Sequence, residues 1–339
     1  MALHIIVGGF FGDEGKGHIA GFLALRYRPW GIVRTGATNA GHTVVYGGVK
    51  WKLRAVPSGF ISRGARLFIA RGALVSLRVV LGEIEALGVG GRFWIDEATG
   101  IVTEEHVERE RSDSYLMATI GSTGTGIGAA MVDRVMRRLR LAREFPELKP
   151  FITDTQSKLL DAVESNYTVH VEASQGYWLS LYHGTYPFVT SRDTTAAAAL
   201  SEIGLGPRHV DRITVVFKAY VTRVGGGPLP GEMGFDEAVK AGWVEYGTVT
   251  GRPRRVAPFN FELARRAVMA NSATDVALTK IDKLFPSASC VREWSKLPGE
   301  AKKWVESVED RLGVAVSLIG TGEDVECTVD RSRELGLEP

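Results

Sequence analysis

Apolar and polar positions alternate along this chain in two kinds of block. Short β-branched runs recur at residues 5–7, 67–70, 92–95, 168–171, 213–217, 276–279 and 314–319. They are too short for helices and lack the in–out alternation of a half-solvated strand, so each predicts a strand buried on both faces. Between several of them lie longer stretches of helical spacing, at 17–28, 74–87, 104–117, 151–164, 259–271 and 299–312. This alternation predicts an α/β fold with a mainly parallel central sheet flanked by helices. No internal repeat, low-complexity tract or Pro/Ser-rich linker interrupts the pattern, so the expectation is one domain over 1–339 with inserted loops and small subdomains. Glycine-rich stretches at 121–128, 225–231 and 247–251 are candidate lids or, equally, solvent-exposed turns.

The first apolar run leads directly into Gly8-Gly9-Phe10-Phe11-Gly12-Asp13-Glu14-Gly15-Lys16-Gly17. Five glycines in ten positions let the backbone bend and present N–H groups to an anion, and the helix that follows adds the positive end of its dipole. Lys16 supplies a point charge, so the segment reads as P-loop-NTPase-like. It departs from G-x-x-x-x-G-K-[ST] at Phe10 and at Gly17, which removes the usual magnesium-binding hydroxyl. Asp13 is the nearest replacement ligand, and a carboxylate beside phosphates implies a metal or a second task. The bland alternative is a tightly packed strand-to-helix turn.

Composition changes this picture little. With 45% hydrophobic and 24% charged residues, and 41 basic against 39 acidic side chains, the chain resembles an ordinary globular protein whose balance requires neither nucleic acid nor a membrane surface. Two cysteines, Cys290 and Cys327, lack metal-ligand spacing; they argue against a disulfide framework or a zinc site and suit a reducing cytosol. The N-terminus lacks a cationic n-region, and no apolar run approaches the roughly 18 residues of a membrane span. A cytoplasmic location is expected.

Further motifs hold candidate chemistry. His42 follows the small-residue turn Asn39-Ala40-Gly41, and a dense set of hydroxyls follows His183, through Thr190, Ser191, Thr194 and Thr195. Read alone, these are also a structural histidine and capped turns. Together with the 8–17 loop they resemble the adenylosuccinate synthetase family, whose members join IMP to L-aspartate using GTP. The resemblance continues through 120–128, 172–176, 204–208, 218–225, 250–255, 278–282 and 320–322, almost the whole chain, with shortened segments as in compact members.

The resemblance implies a set of roles. Asp13 takes the proton from N1 of IMP, and His42 is the acid toward the γ-phosphoryl group. Asp13 and the Gly41 carbonyl hold one Mg²⁺ per subunit. GTP, the co-substrate, falls to Gly12, Asp13, Glu14, Gly15, Lys16, Gly17, His18, Gly41, His42, Thr43, Arg254, Lys280, Ile281, Asp282, Gly320, Thr321 and Gly322. IMP falls to Asp13, Glu14, Gly15, Lys16, Asn39, Ala40, Gly41, His42, Thr123, Gln175, Thr190 and Arg252, with Arg137 reaching across a homodimer. L-Aspartate falls to Thr248, Val249, Thr250, Gly251, Arg252 and Arg254, whose guanidinium groups suit two carboxylates.

Lys280-Ile281-Asp282 is similar to the guanine-reading signature of GTPases: a carboxylate accepts from N1–H and the exocyclic amine, which adenine cannot offer as a pair. A surface Lys/Asp pair ending a strand is the plain alternative. Residues 133–140 carry a basic run that reads equally as a solvated helix face or a nucleic-acid patch; the family implies small-molecule partners and no nucleic acid. A GTP-binding switch without a second substrate stays open on the residues alone. His18, Thr125, Tyr182 and Pro253 depart from the usual family pattern.

Overall fold

The computed structural model describes residues 3–247, 251 and 253–338. The chain begins with β1 (Leu3–Gly8), every residue of which is buried, then the glycine loop and α1 (Lys16–Tyr27). Next come β2 (Gly31–Arg34), the hairpin β3 (His42–Tyr46) and β4 (Val49–Leu53), β5 (Arg66–Ile69), a short β6 (Leu74–Ser76) and α2 (Leu77–Leu87). β7 (Phe93–Asp96), β8 (Gly100–Val102), α3 (Glu104–Ser112), α4 (Ile127–Val135), β9 (Ile152–Thr153), α5 (Thr155–Glu164) and β10 (Val169–Glu172) follow. The second half holds α6 (Ala196–Ile203), β11 (Val210–Lys218), β12 (Tyr220–Arg223), α7 (Phe235–Lys240), β13 (Arg255–Pro258), α8 (Phe261–Asn271) and β14 (Asp275–Thr279). It closes with α9 (Ile281–Leu284), α10 (Gly299–Leu312), β15 (Val316–Gly320) and β16 (Thr328–Asp330).

Ten of these strands form one sheet in the order β16-β15-β14-β11-β1-β10-β2-β5-β7-β9. Every pairing in it is parallel except that of β15 with β16. The expected α/β architecture is therefore the observed one. β1 lies centrally between β10 and β11, and the packed core runs along both faces of the sheet. Small two-stranded units, β3–β4, β6–β8 and β12–β13, decorate it as the expected subdomains.

All seven predicted strands are present, and the helix over 299–312 has the predicted limits. Other boundaries move for identifiable reasons. The helix expected from residue 74 starts at Leu77, because Leu74–Ser76 pairs as a strand with β8. The pattern from 104 to 117 breaks at Ser112 and resumes as a wide turn at Tyr115–Ile120, and the one from 151 gives its first residues to β9, which pairs with β7. β2 and β16 were not anticipated: β16 has only three residues, and β2 holds just two apolar residues, Ile32 and Val33, between Gly31 and Arg34.

One correction concerns sulfur. Cys290 and Cys327, expected as free thiols, form a disulfide with Cα atoms 4.4 Å apart across 37 residues of sequence. β14 and β15 are neighbours in the sheet, so the loops that follow them meet. Among the described residues no helix is long and apolar enough to cross a membrane.

Candidate active site

The carboxyl ends of β1, β2, β10, β11 and β14 point to one side of the sheet, where ligands gather in folds of this kind. The turn after β1 is dictated by close approach. A Cβ on Gly9 would stand 2.0 Å from the Phe217 ring, and Gly15, at φ +88°, caps α1 in a conformation a side chain would strain. No side chain caps α1, whose first-turn N–H groups are therefore open to an anion.

Within the loop, Glu14 is fully buried. Its carboxylate accepts from the Phe10 and Gly12 amides at 2.9 and 2.8 Å and from Lys16 Nζ at 2.7 Å, and Lys16 Nζ also reaches the Gly12 carbonyl at 3.2 Å. Two of the amides expected to face a phosphate are thus held by the protein's own carboxylate, and two of the three ammonium donors of Lys16 are used. Glu14 braces the loop; the amides beyond Gly12 and the third Lys16 donor are left for a ligand.

A cavity of about 400 Å³ opens beside this loop, lined by Gly12, Asp13, Asn39, Ala40, Gly41, Thr123, Gln175, Thr190 and Arg254 among others. Residues from six separate stretches of sequence are brought together here. Gln175, at φ 58°, donates from Nε2 to Asn39 Oδ1 at 2.8 Å, while its buried Oε1 has no protein partner among the described residues. Thr123 and Thr125 share a hydroxyl hydrogen bond at 2.9 Å.

His42, at the start of β3, is buried against Glu172 and Arg34. Arg34 Nη1 lies 2.8 Å from both His42 Nδ1 and Glu172 Oε1, and Nδ1 also contacts Glu172 Oε1 directly. Ser58 adds its amide and hydroxyl to the same carboxylate, each at 2.6 Å. Burial alone would push the Glu172 carboxyl up, but Arg34, His42 and Ser58 outweigh it and hold it at about 2. Burial, then Arg34, lowers the imidazole of His42 to about 3, so the ring is neutral in the free protein. Its Nε2 is buried without a partner among the described residues.

Asp13 sits in a second charged cluster. Its Oδ2 accepts from the Thr222 hydroxyl and lies 3.3 Å from Arg254 Nε and 3.8 Å from Lys218 Nζ. Glu245 joins the two cations, accepting from Lys218 Nζ at 3.0 Å, from Arg254 Nη1, and from the Tyr220 hydroxyl at 2.5 Å. Burial opposes ionisation of Glu245, yet Lys218 and Arg254 hold it at about 2, while Asp13 and Glu245 raise Arg254 against the effect of burial.

The segments expected to read guanine gather around the first turn of α1 rather than in the cavity lining. Thr279 donates to the Glu14 carbonyl at 2.6 Å, Lys280 adopts φ 63°, and Ile281 is buried. Asp282 Oδ1 is buried with no partner among the described residues, as an acceptor awaiting an N–H donor would be. Thr321 spends its hydroxyl on Val291 and Cys327 carbonyls, Gly322 packs against Cys327, and His18 Nε2 pairs with Thr328 Oγ1 at 2.8 Å. Arg137 stands apart from the cavity, exposed on the turn after α4 at φ 62°. Thr248, Val249, Thr250 and Arg252 lie outside the described residues; Gly251 is exposed.

The family profile described as adenylosuccinate synthetase matches residues 5–143 and 139–287. This chain belongs to the adenylosuccinate synthetase family. It is 48% identical to the adenylosuccinate synthetase of Archaeoglobus fulgidus over 335 residues, covering 98% of this chain and 99% of the relative. It is 47% identical to that of Pyrococcus horikoshii over 331 residues, covering 96% and 98%. The fold is that of the fully ligated Plasmodium falciparum adenylosuccinate synthetase, with a TM-score of 0.89 at 22% identity over 97% of this chain and 99% of that one. The cyanophage S-2L succinoaminodeoxyadenylate synthetase, bound to dGMP and to dATP as an energy donor, superposes with a TM-score of 0.80 at 26% identity over 99% and 98%. Membership makes the chain a ligase of purine biosynthesis that joins IMP and aspartate.

Arg34, Ser58 and Glu245 were given no role by the sequence, and Glu172, Lys218 and Thr222 only places in motifs. One signal was available. Arg34, Glu172 and Lys218 each end an apolar strand with a charge, and a charge at the carboxyl end of a buried parallel strand points into the site.

Proposed function

We propose that the chain uses GTP to join IMP and L-aspartate, releasing GDP and phosphate through a 6-phosphoryl-IMP intermediate, as a step toward AMP. The observation that carries this reading is that two candidate ligand regions flank the loop before α1. One is the cavity with Asp13, Asn39, Gln175 and Thr190; the other has the unpartnered Asp282 carboxylate oxygen. Asp13, on the loop between them, takes the proton from N1 of IMP, so that O6 attacks the γ-phosphorus and its bond to the bridging oxygen breaks. The aspartate amine then attacks C6, and phosphate leaves with O6.

His42 serves as the acid in the first step. A phosphoryl anion against the bare Nε2 raises the imidazole from its low value, and Glu172 holds the opposite N–H, so the ring is charged only in the nucleotide complex.

Among the described residues no three carboxylate, histidine or cysteine side chains converge as a metal cage. Mg²⁺ does not need one: a single carboxylate and a carbonyl, Asp13 and Gly41 on the wall of the same cavity, fit an ion held chiefly by phosphates and water. Such an ion neutralises charge on the transferring phosphoryl group.

A homodimer is part of the reading. Val132, Val135 and Met136, all more than half exposed, form an apolar patch beside Arg137 that a second copy would cover while receiving that guanidinium at its IMP site. The chain is proposed to act in the cytoplasm, with no nucleic-acid partner.

The test is to incubate the full chain with IMP, aspartate, GTP and Mg²⁺ and to follow purine absorbance. Adenylosuccinate formation with GTP, and little with ATP, is the expected result. GTP loss without a new purine indicates a switch, and turnover of dGMP with dATP but not of IMP with GTP indicates the specificity of the cyanophage enzyme; either would overturn the proposal.

A further inference from the structure

Thr222 is a buried hydroxyl between two charges. Lys218 Nζ donates to Thr222 Oγ1, and Thr222 Oγ1 donates to Asp13 Oδ2. An ammonium has donors only and a hydroxyl has a single proton, so Lys218 takes a lone pair of the threonine oxygen and leaves its proton one direction to point, toward Asp13. Lys218 cannot turn away. Glu245 Oε2 receives it at 3.0 Å, and Glu245 is fixed in turn by the Tyr220 hydroxyl at 2.5 Å and by Arg254. The ring contains two carboxylates and two cations, so their formal charges balance and no ion is buried alone. The neighbouring loop charges, Glu14 and Lys16, pair with each other and stay out of it.

Lys218 ends β11 and Thr222 lies in β12, so the segment that joins the sheet to the β12–β13 unit carries both residues to the loop after β1. We propose that Thr222 is a positioning residue for Asp13, with Lys218 orienting its hydroxyl and Glu245 anchoring Lys218. The chain occupies Oδ2 and fixes the carboxylate plane, so that Oδ1 is the oxygen offered to the purine. The inference rests on the role given to Asp13 above. A carboxylate free to rotate would present either oxygen, and a loss of alignment of about 1 Å at the reacting atom can cost on the order of 100-fold in rate.

Thr222→Val keeps the shape and removes the hydroxyl; Thr222→Ser restores it. In the full-length protein with IMP, aspartate, GTP and Mg²⁺, Thr222→Val is expected to lower kcat by about 10- to 100-fold. The KM for GTP and the equilibrium affinity for IMP should stay within about 2-fold of wild type, because the group is not assigned to binding. Thr222→Ser should recover most of the loss. A merely structural threonine would instead lower the unfolding temperature without a selective change in kcat, and the serine would not rescue it selectively. If the valine variant does not fold, Thr222→Ala is read by the same criteria. An active wild type with an unchanged Thr222→Val overturns this inference alone, as does a valine variant that loses GTP affinity at constant kcat. A wild type inert toward these substrates overturns the assignment of Asp13 together with it.

Discussion

Replacing Glu172 by Gln tests the charged network behind His42. The carboxylate is completely buried and serves four partners: Arg34 Nη1, His42 Nδ1, and the amide and hydroxyl of Ser58. Gln keeps the volume and one acceptor oxygen but removes the charge that balances Arg34, itself only 3% exposed. An uncompensated buried charge costs about 3–5 kcal/mol. A second route gives a similar size: lowering the Glu172 carboxyl from 4.5 to about 2 corresponds to about 3 kcal/mol of preference for the ionised, folded form. The sign follows from linkage. Because the folded value is depressed, this stability is complete above pH 4.5 and is lost as the pH falls toward 2. Urea unfolding at neutral pH should therefore show Glu172→Gln less stable by about 3–5 kcal/mol, with an unchanged m-value. Arg34→Met combined with Glu172→Gln should regain part of the loss, because the unpaired cation is then gone. A single-variant change below about 1 kcal/mol, or a double variant that is simply the sum of the two singles, would refute the claim that Arg34 and Glu172 compensate each other.

Asp13→Ala should leave the chain folded and reduce adenylosuccinate formation by at least about 100-fold; normal turnover would remove the base assignment. Asp282→Asn should lower the preference for GTP over ATP by about 10- to 100-fold, through loss of a charged acceptor for the guanine N–H groups, and competition kinetics with the two nucleotides would show an unchanged ratio if the reading is wrong. Changing both Cys290 and Cys327 to Ser should destabilise the protein by about 3–4 kcal/mol, the chain-entropy value for a loop of 37 residues. Denaturant unfolding of this variant beside dithiothreitol-treated wild type checks it, and a loss below about 1 kcal/mol in both would mean the bridge constrains little.

The pattern of apolar runs determined what is local. It specified the parallel α/β class, all seven strands it marked and the helix over 299–312, because strand and helix periods are written within a few residues of each position. The glycine loop, the Asn39–His42 turn and the Lys280–Asp282 segment were likewise legible, since each is a short contiguous motif at a strand end. Tertiary structure alone decided the pairings. Arg34 meets Glu172 because β2 lies beside β10 in the sheet, 138 positions away in sequence, and Thr222 meets Asp13 across 209. The Cys290–Cys327 bridge depends in the same way on β14 and β15 being neighbours. The local hydrophobic period says that a strand is buried, but strand order says which charges it is buried with. That order is a property of the assembled sheet as a whole, and no single segment encodes it.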